Sequence, residues 1–331
     1  MLTLNSPEIQ FALNAVQQAS WLVSQIQAEM VSSALTKEDR SPVTVADFAS
    51  QALVAYLLYR AFPDDPLVGE EDATALRAPE GSPTLERVAH FASRLMPESS
   101  PEEVCAWIDR GCSQPGRRFW TLDPIDGTKG FLRADQYAVA LALIEAGQVQ
   151  VGVLGCPNLA GGYLPDPGGR GSLVVAERMR GTWVRSLNGR EEAFEQLQVS
   201  DLQAPAQARL LRSFESAHTN VDQIDLFAQA LDVRADPVRM DSQAKYAVLA
   251  AGRGEIYLRL LSAKKPDYRE KIWDQAAGSL IVEEAGGWVT DLDGKPLDFT
   301  AGRTLADNRG ILATNGHLHP AALEALRAIG A

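Results

Sequence analysis

The sequence predicts a mixed α/β protein made of two packed domains, and three observations carry this. The chain has 331 residues, more than one hydrophobic core usually serves. Its apolar share is 46%, ordinary for a globular chain and too high for wholesale disorder. Segments of helical period alternate along it with short strand-like runs, without internal repeats or low-complexity tracts.

A helix opens the chain. Ser6 suits its N-cap and Pro7 its first position, and Ile9, Leu13, Val16, Val23 and Ile26 fall on one face. Residues 36–40 read as a polar loop. A second helix is expected from about 47 to 60, with Phe48, Leu53, Val54, Tyr56 and Leu57 as its apolar positions. After the turn Phe62-Pro63-Asp64-Asp65-Pro66 comes a short strand, Leu67-Val68, ending at Gly69. Residues 73–118 contain two Pro-bounded breaker clusters and two weakly amphipathic helical pieces. They read as an insertion near the site or a lid, with a plain surface excursion the alternative. Strands follow at 119–122, 137–145 and 149–156, the last two a hairpin around Ala146-Gly147. The Gly- and Pro-rich stretch 161–171 places the domain boundary, dividing the chain into 1–165 and 166–331. Beyond it, strands are expected at 173–177 and 181–185, helices at 221–230 and 243–252, and a strand at 256–260. A helix from 274 to 285 stops at Gly286-Gly287. A strand at 288–290 and the turn Asp291-Leu292-Asp293-Gly294 follow it.

Composition narrows the function. No run approaches the roughly 18 apolar residues of a membrane span. The N-terminal residues carry no basic region, apolar core and cleavage site, so the cytoplasm is the expected location. Cys105, Cys112 and Cys156 lack zinc-type spacing, and an odd trio makes no disulfide framework. The net charge is −12, which repels nucleic-acid polymers and acidic membranes. It also repels a small phosphorylated substrate, so such a substrate requires bound cations or a local basic patch.

Three acidic segments stand out. In Trp120-Thr121-Leu122-Asp123-Pro124-Ile125-Asp126-Gly127-Thr128 a hydrophobic strand ends in Asp, with a second Asp three residues on. Two carboxylates held that close repel unless a cation sits between them. Hard oxygen donors favour Mg²⁺ or Mn²⁺ over zinc. The alternative is a turn with an Asx-type hydrogen bond. In Val68-Gly69-Glu70-Glu71-Asp72 three acids follow an apolar run, which a solvated acidic loop also explains. In Ile272-Trp273-Asp274-Gln275-Ala276-Ala277-Gly278 the acid stands at a helix start, where capping is the ordinary role.

Taken together and in this order, the three segments resemble the motifs Gly-Glu-Glu, Asp-Pro-x-Asp-Gly-Thr and Trp-Asp-x-x-Ala-Gly. These belong to the inositol monophosphatase superfamily of Mg²⁺-dependent, Li⁺-sensitive phosphatases. The resemblance sharpens to the 3′(2′),5′-bisphosphate nucleotidases. It is carried by Ser41-Pro42-Val43-Thr44-Val45-Ala46-Asp47, by Thr128-Lys129-Gly130-Phe131 in place of the Thr-Thr-Asn-Phe of simple inositol monophosphatases, and by Gly155-Cys156-Pro157-Asn158-Leu159. It continues through Ser213-Phe214-Glu215-Ser216-Ala217-His218, Asp241-Ser242-Gln243-Ala244-Lys245-Tyr246, Tyr257-Leu258-Arg259-Leu260, Glu270-Lys271-Ile272-Trp273-Asp274 and Gly302-Arg303-Thr304-Leu305. The Thr-Asn after His218 departs from the Ser-rich run of relatives.

The resemblance implies a five-layer α-β-α-β-α sandwich, with an antiparallel sheet in the first domain, a mixed sheet in the second and the site between them. It implies two or three Mg²⁺ ions, replaceable by Mn²⁺, held by Glu70, Asp123, the carbonyl of Ile125, Asp126 and Asp274. Thr128, paired with Asp47, would orient or deprotonate the attacking water, and Glu71 would assist through a second water. The N–H groups of Gly127 and Thr128 would hold phosphate. His218, Ser242, Lys245 and Arg259 would line a nucleotide pocket, the two cations neutralising a 5′-phosphate. For these four the plain reading is a solvated or satisfied polar side chain. The implied reaction is hydrolysis of adenosine 3′,5′-bisphosphate to AMP and phosphate, or of its sulfated precursor, within sulfur metabolism. The implied partner is a small bisphosphate nucleotide, with no nucleic-acid polymer, membrane or protein partner. The rivals are an inositol-polyphosphate 1-phosphatase, a broad phosphatase and a non-catalytic nucleotide sensor.

Overall fold

The computed structural model describes residues 5–30, 41–97, 99–189, 192–214, 221–261 and 267–331. The expected loop at 36–40 and the candidate His218 lie outside these residues. The helices are α1 (Pro7–Met30), α2 (Ser41–Ala61), α3 (Thr74–Arg77), α4 (Ser82–Ala92), α5 (Pro101–Asp109), α6 (Thr128–Leu132), α7 (Val221–Ala230), α8 (Ala244–Ala250), α9 (Ala276–Glu284) and α10 (His319–Ala328). The strands are β1 (Leu67–Gly69), β2 (Arg118–Asp126), β3 (Ala138–Glu145), β4 (Gln148–Cys156), β5 (Leu159–Ala160), β6 (Leu164–Pro165), β7 (Ser172–Glu177), β8 (Gly181–Ser186), β9 (Glu195–Leu197), β10 (Leu210–Arg212), β11 (Val238–Arg239), β12 (Ile256–Arg259), β13 (Trp288–Thr290) and β14 (Ile311–Thr314).

Three apolar cores separate five layers. One sheet runs β1-β2-β3-β4-β7-β8-β9, parallel only at β1–β2. Successive residues along its strands face opposite sides. Trp120, Leu122, Leu141 and Val153 join α1 and α2 in the first core, whereas Phe119, Ala140 and Leu154 join α8 and α9 in the second. The second core continues into Tyr257, Ile311 and Ala313 of the other sheet, which runs β11-β10-β12-β14-β13 and is mixed. Its far face, through Leu210, Leu258 and Leu312, forms the third core with Phe227 of α7 and Leu326 of α10. Helices outside, sheet, helices between, sheet and helices outside make the expected sandwich.

Several expectations need correction. The seven-stranded sheet continues through β7, β8 and β9, so the division expected at 165/166 cuts across it. The change of sheet comes between Leu197 and Leu210. The Gly- and Pro-rich stretch instead forms the small β5–β6 hairpin beside that sheet. Helix α2 starts at Ser41 rather than near Asp47. Pro42 has no N–H to lose in a first turn, and Val45 and Ala46 are already in the first core. Residues 73–118 are no lid. Val88 and Phe91 of α4 and Val104 and Ile108 of α5 are buried in the first core, and no described residue of this stretch lines the pocket described below. Helix α9 starts at Ala276, two residues beyond Asp274, and the preceding Gln275 makes no side-chain cap. Asp274 is therefore not a helix cap. At the other end of the chain Ser6 does cap α1, accepting from the Ile9 N–H at 3.3 Å.

Close approach sets one glycine. A Cβ at Gly278 in α9 would stand 2.0 Å from Tyr246 Cδ2 of α8. On an open helix face Gly→Ala gains roughly 0.5–1 kcal/mol. Gly278→Ala is expected to reverse that sign and cost about 1–3 kcal/mol through overpacking, read as a lowered urea midpoint with an unchanged slope. A stabilised variant would show that α8 and α9 are not in contact there.

Candidate active site

Two carboxylates three apart in a regular strand point to opposite faces. Asp123 and Asp126 do not, because β2 is bulged between them. Asp123 pairs with Ala140 and Asp126 with Ala138, three steps on β2 against two on β3. Pro124 has no N–H for the ladder, which makes this the natural place for the extra residue. The strand is bulged here and the Asx-type hydrogen bond is present as well, the Ile125 N–H donating to Asp123 Oδ1 at 3.1 Å, and both acids open into one cleft of about 250 Å³. Parallel pairing of β1 with β2 sets Gly69 against Leu122, which brings the next residues, Glu70 and Asp123, side by side. Asp274, just ahead of α9, closes the cleft from the second half of the molecule.

The cleft wall holds Glu70, Asp123, Ile125, Asp126, Gly127, Thr128, Ser242, Lys245, Arg259 and Asp274, all expected from the sequence. Asp47 and Glu71 are not on the wall, but their charges reach it. Burial, followed by Glu71 and Glu70, holds the Asp47 carboxyl well above the usual range. Lys129, Gly130, Ser213, Asp241 and Tyr268 also line the cleft and were not expected. Four of these stand inside the motifs quoted above; Tyr268 carries no sequence signal. A wider groove of about 730 Å³ beside α1 has Glu192 as its single acid and no cation among its described lining residues. Chemistry rather than size marks the site.

The acids are close enough to disturb one another. Burial, then the charges of Glu71 and Asp126, pushes Glu70 up to about 7. Burial, then Glu70, Asp126 and Asp274, holds Asp123 far above the usual carboxylate range. Asp274 is likewise raised by burial, against the pull of Arg259. Asp126 is raised less. Lys245 and Arg259 counter its burial, and the Gln243 N–H donates to its Oδ2 at 2.7 Å. Among the described residues no three acids converge tightly enough to make a ready-made metal cage. The shared wall and the mutual charge effects carry the fit. The donors are four carboxylates and one carbonyl, all hard oxygens, with no His or Cys on the described wall. That set suits Mg²⁺.

The same cleft also holds cations, with Arg259 Nη2 4.0 Å from Asp274 Oδ2. Lys245 is buried, and burial lowers its pKa to about 8. Its Nζ donates to Ser213 Oγ at 3.1 Å and to the Met240 carbonyl at 3.3 Å, and it lies over the Tyr257 ring. Arg259 Nε stands 2.8 Å from Glu270 Oε2. That contact is too bent for a hydrogen bond and leaves Nε without an acceptor. The two halves meet at strained backbone. Gly127 has φ +92° and Ser242, despite its side chain, φ +65°. Such conformations concentrate at functional sites.

Residues 4–331 match the model of the inositol monophosphatase family. The chain is 42% identical over 340 residues to a 3′(2′),5′-bisphosphate nucleotidase of Schizosaccharomyces pombe, covering 97% of this chain and 95% of that one. It is 42% identical over 339 residues to one of Oryza sativa, covering 97% and 93%. Among solved structures, the IMPase of Thermotoga maritima superposes with a TM-score of 0.64 at 20% identity, covering 98% of both chains. At that identity the likeness shows the fold alone.

A Cβ at Gly127 would meet Ser242 Cβ at 2.7 Å. Gly127→Ala is expected to cost about 1–3 kcal/mol from this clash and from its positive φ. Ser242→Gly in the same chain should recover part of the loss. Strictly additive unfolding energies for the pair would show that the two residues do not touch.

Proposed function

Because the chain belongs to the inositol monophosphatase family, we propose that it hydrolyses the 3′-phosphate of adenosine 3′,5′-bisphosphate to give AMP and inorganic phosphate. The observation that carries this reading is that one cleft gathers both a set of acids and the cations Lys245 and Arg259. A simple monophosphate needs only the first. A substrate with two phosphates uses both, one at the acids and one at Lys245 and Arg259. The full-length likeness to bisphosphate nucleotidases supports the same choice. The sulfated 5′-phosphosulfate relative presents the same two groups and is a second substrate under this reading. No described helix is long and apolar enough to cross a membrane, which accords with a small diffusible substrate.

Glu70, Asp123, the Ile125 carbonyl, Asp126 and Asp274 would hold two or three Mg²⁺ ions, or Mn²⁺ in their place, supplying charge neutralisation for phosphate oxygens and a more acidic water. The protein's own groups do the positioning. Thr128, at the start of α6, orients the attacking water through its hydroxyl and passes a proton toward Asp47. Glu71 holds a second water. As the water oxygen bonds to phosphorus, the bond from phosphorus to O3′ breaks. The electron pair stays on O3′, which takes a proton from water. The Gly127 and Thr128 N–H groups hold the transferred phosphate. Ser242 lies against the nucleotide. Fixed groups acting on developing charge give most of the acceleration.

Phosphate release from adenosine 3′,5′-bisphosphate, measured with Mg²⁺ and after chelation, tests the reading directly. Turnover is expected with the ion and its loss without it. Faster release from inositol phosphates would overturn the substrate assignment, and no release from any phosphate ester would leave a silent binding protein. Asp123→Asn is expected to lower kcat by at least about 10³-fold with its circular dichroism unchanged; near-normal activity would remove Asp123 from the ligand set. Lys245→Ala and Arg259→Ala should weaken use of bisphosphate nucleotide more than use of p-nitrophenyl phosphate. Lys245 is the cleaner test, because losing Arg259 leaves buried Glu270 unpaired at a cost of about 3–5 kcal/mol. Equal losses on both substrates would exclude the two cations from a second phosphate site.

A further inference from the structure

Arg303 lies on the connection between β13 and β14 and is not part of the cleft wall. Its guanidinium nevertheless spans the two halves of the molecule. Nη1 donates to the carbonyls of Gly111 at 3.1 Å and Ser113 at 3.2 Å, and Nη2 donates to the carbonyl of Gly69. Gly69 is the residue before Glu70. The same group lies over the Trp273 ring, 5.0 Å from its centroid. Trp273 is the residue before Asp274. The Trp273 carbonyl accepts from Gln243 Nε2 at 3.0 Å, and the Gln243 N–H reaches Asp126. One cation therefore touches the chain beside two acids from different halves and is linked through Gln243 to a third.

From the other side, Gln51 of α2 holds the residue after Glu70. The Glu71 N–H donates to Gln51 Oε1 at 3.0 Å, and Gln51 Nε2 donates to the Glu71 carbonyl at 2.6 Å. Gly69 and Glu71 are thus both fastened, with Glu70 between them. Gln51 secures this loop to its own half of the fold. Arg303 ties it by hydrogen bonds and ring stacking to the Asp274 segment, from which Lys271 also acts on Glu70. A guanidinium suits the task, because its planar fork serves several carbonyls while its face stacks on an indole.

We propose that Arg303 is a positioning residue for the acid cluster, fixing Glu70 and Asp274 relative to one another so that they can share a divalent cation. The proposal rests on the Mg²⁺ reading above. Its test is calorimetric titration of the full chain with Mg²⁺, alongside melting of the metal-free protein. Arg303→Met is expected to raise the Mg²⁺ Kd about 10-fold or more, within the range typical for groups that orient metal ligands. KM for adenosine 3′,5′-bisphosphate at saturating Mg²⁺ should change less than about 2-fold, as expected for uniform substrate binding left intact. Arg303→Lys keeps the charge and serves if the Met variant does not fold. It should still raise Kd several-fold, because an ammonium cannot serve the carbonyls and stack in the same way. Wild-type Mg²⁺ affinity in the Lys variant, or a lower melting temperature with unchanged Kd in the Met variant, overturns the proposal alone. No Mg²⁺ uptake by the wild-type protein overturns the metal reading and the proposal together.

Discussion

Unbalanced negative charge is the constraint on which the rest of this molecule depends. The chain carries a net charge of −12, yet it gathers Glu70, Asp123, Asp126 and Asp274 along one wall and keeps Asp47 buried behind them. Carboxylates so placed raise one another's proton affinity, a repulsion that cations relieve. The fold answers it unevenly, and most fully at Asp126. Lys245, Arg259 and the Gln243 N–H all act on Asp126, which is the least disturbed of the four. Among the described residues, Asp123 accepts only the Ile125 N–H, at 3.1 Å, and Glu70 feels Lys271 less than it feels its burial and the neighbouring acids.

The constraint also explains why the site lies at a seam. A single sheet can place two acids together only by breaking its own alternation, and the bulge in β2 does this once. Further acids must come from elsewhere: Glu70 from just beyond the parallel neighbour β1, and Asp274 from the segment ahead of α9. Each half therefore holds an incomplete cluster. Where the halves meet, the backbone departs from ordinary conformations at both Gly127 and Ser242. Arg133 of the first half pairs with Asp241 of the second beside them. Such contacts bring the walls together without filling the space between.

Much of this was legible in the sequence, and the limits have physical causes. Elements with a clear period, such as α1 and the β3–β4 hairpin, stand close to where the residues place them. Helix α2 began too late in the reading because it is buried nearly all round and shows no apolar stripe. The short strands β10 and β14 and the helix α10 went unread, since three or four apolar residues do not tell strand from loop. The domain boundary followed Gly and Pro, which mark turns but do not reveal which sheet the next strand joins. Local motifs mark the acids of the cleft. The groups that hold them act across long sequence separations: Gln51 has no motif to announce it, and the motifs that contain Gln243 and Arg303 do not say what those side chains reach. Tyr268 is on the wall and, like Gln51, stands in no motif.

The acids and the cations of the cleft are not independent, and residues 270–278 show why. Asp274 faces the acids. Its neighbour Gln275 turns the other way, donating to Glu270 at 2.9 Å and accepting from the Tyr246 hydroxyl at 2.5 Å. Glu270 in turn fixes Arg259. Three residues further, Gly278 leaves room for the Tyr246 ring, and Tyr246 packs edge-on to Tyr257, over which Lys245 lies. A side chain at Gly278 would thus press on the aromatic pair beneath Lys245, while a shift of Asp274 would alter the set of acids. Buried polar networks of this kind fail as a unit rather than link by link. The acids and the cations of the cleft are therefore tied together through this single stretch of chain.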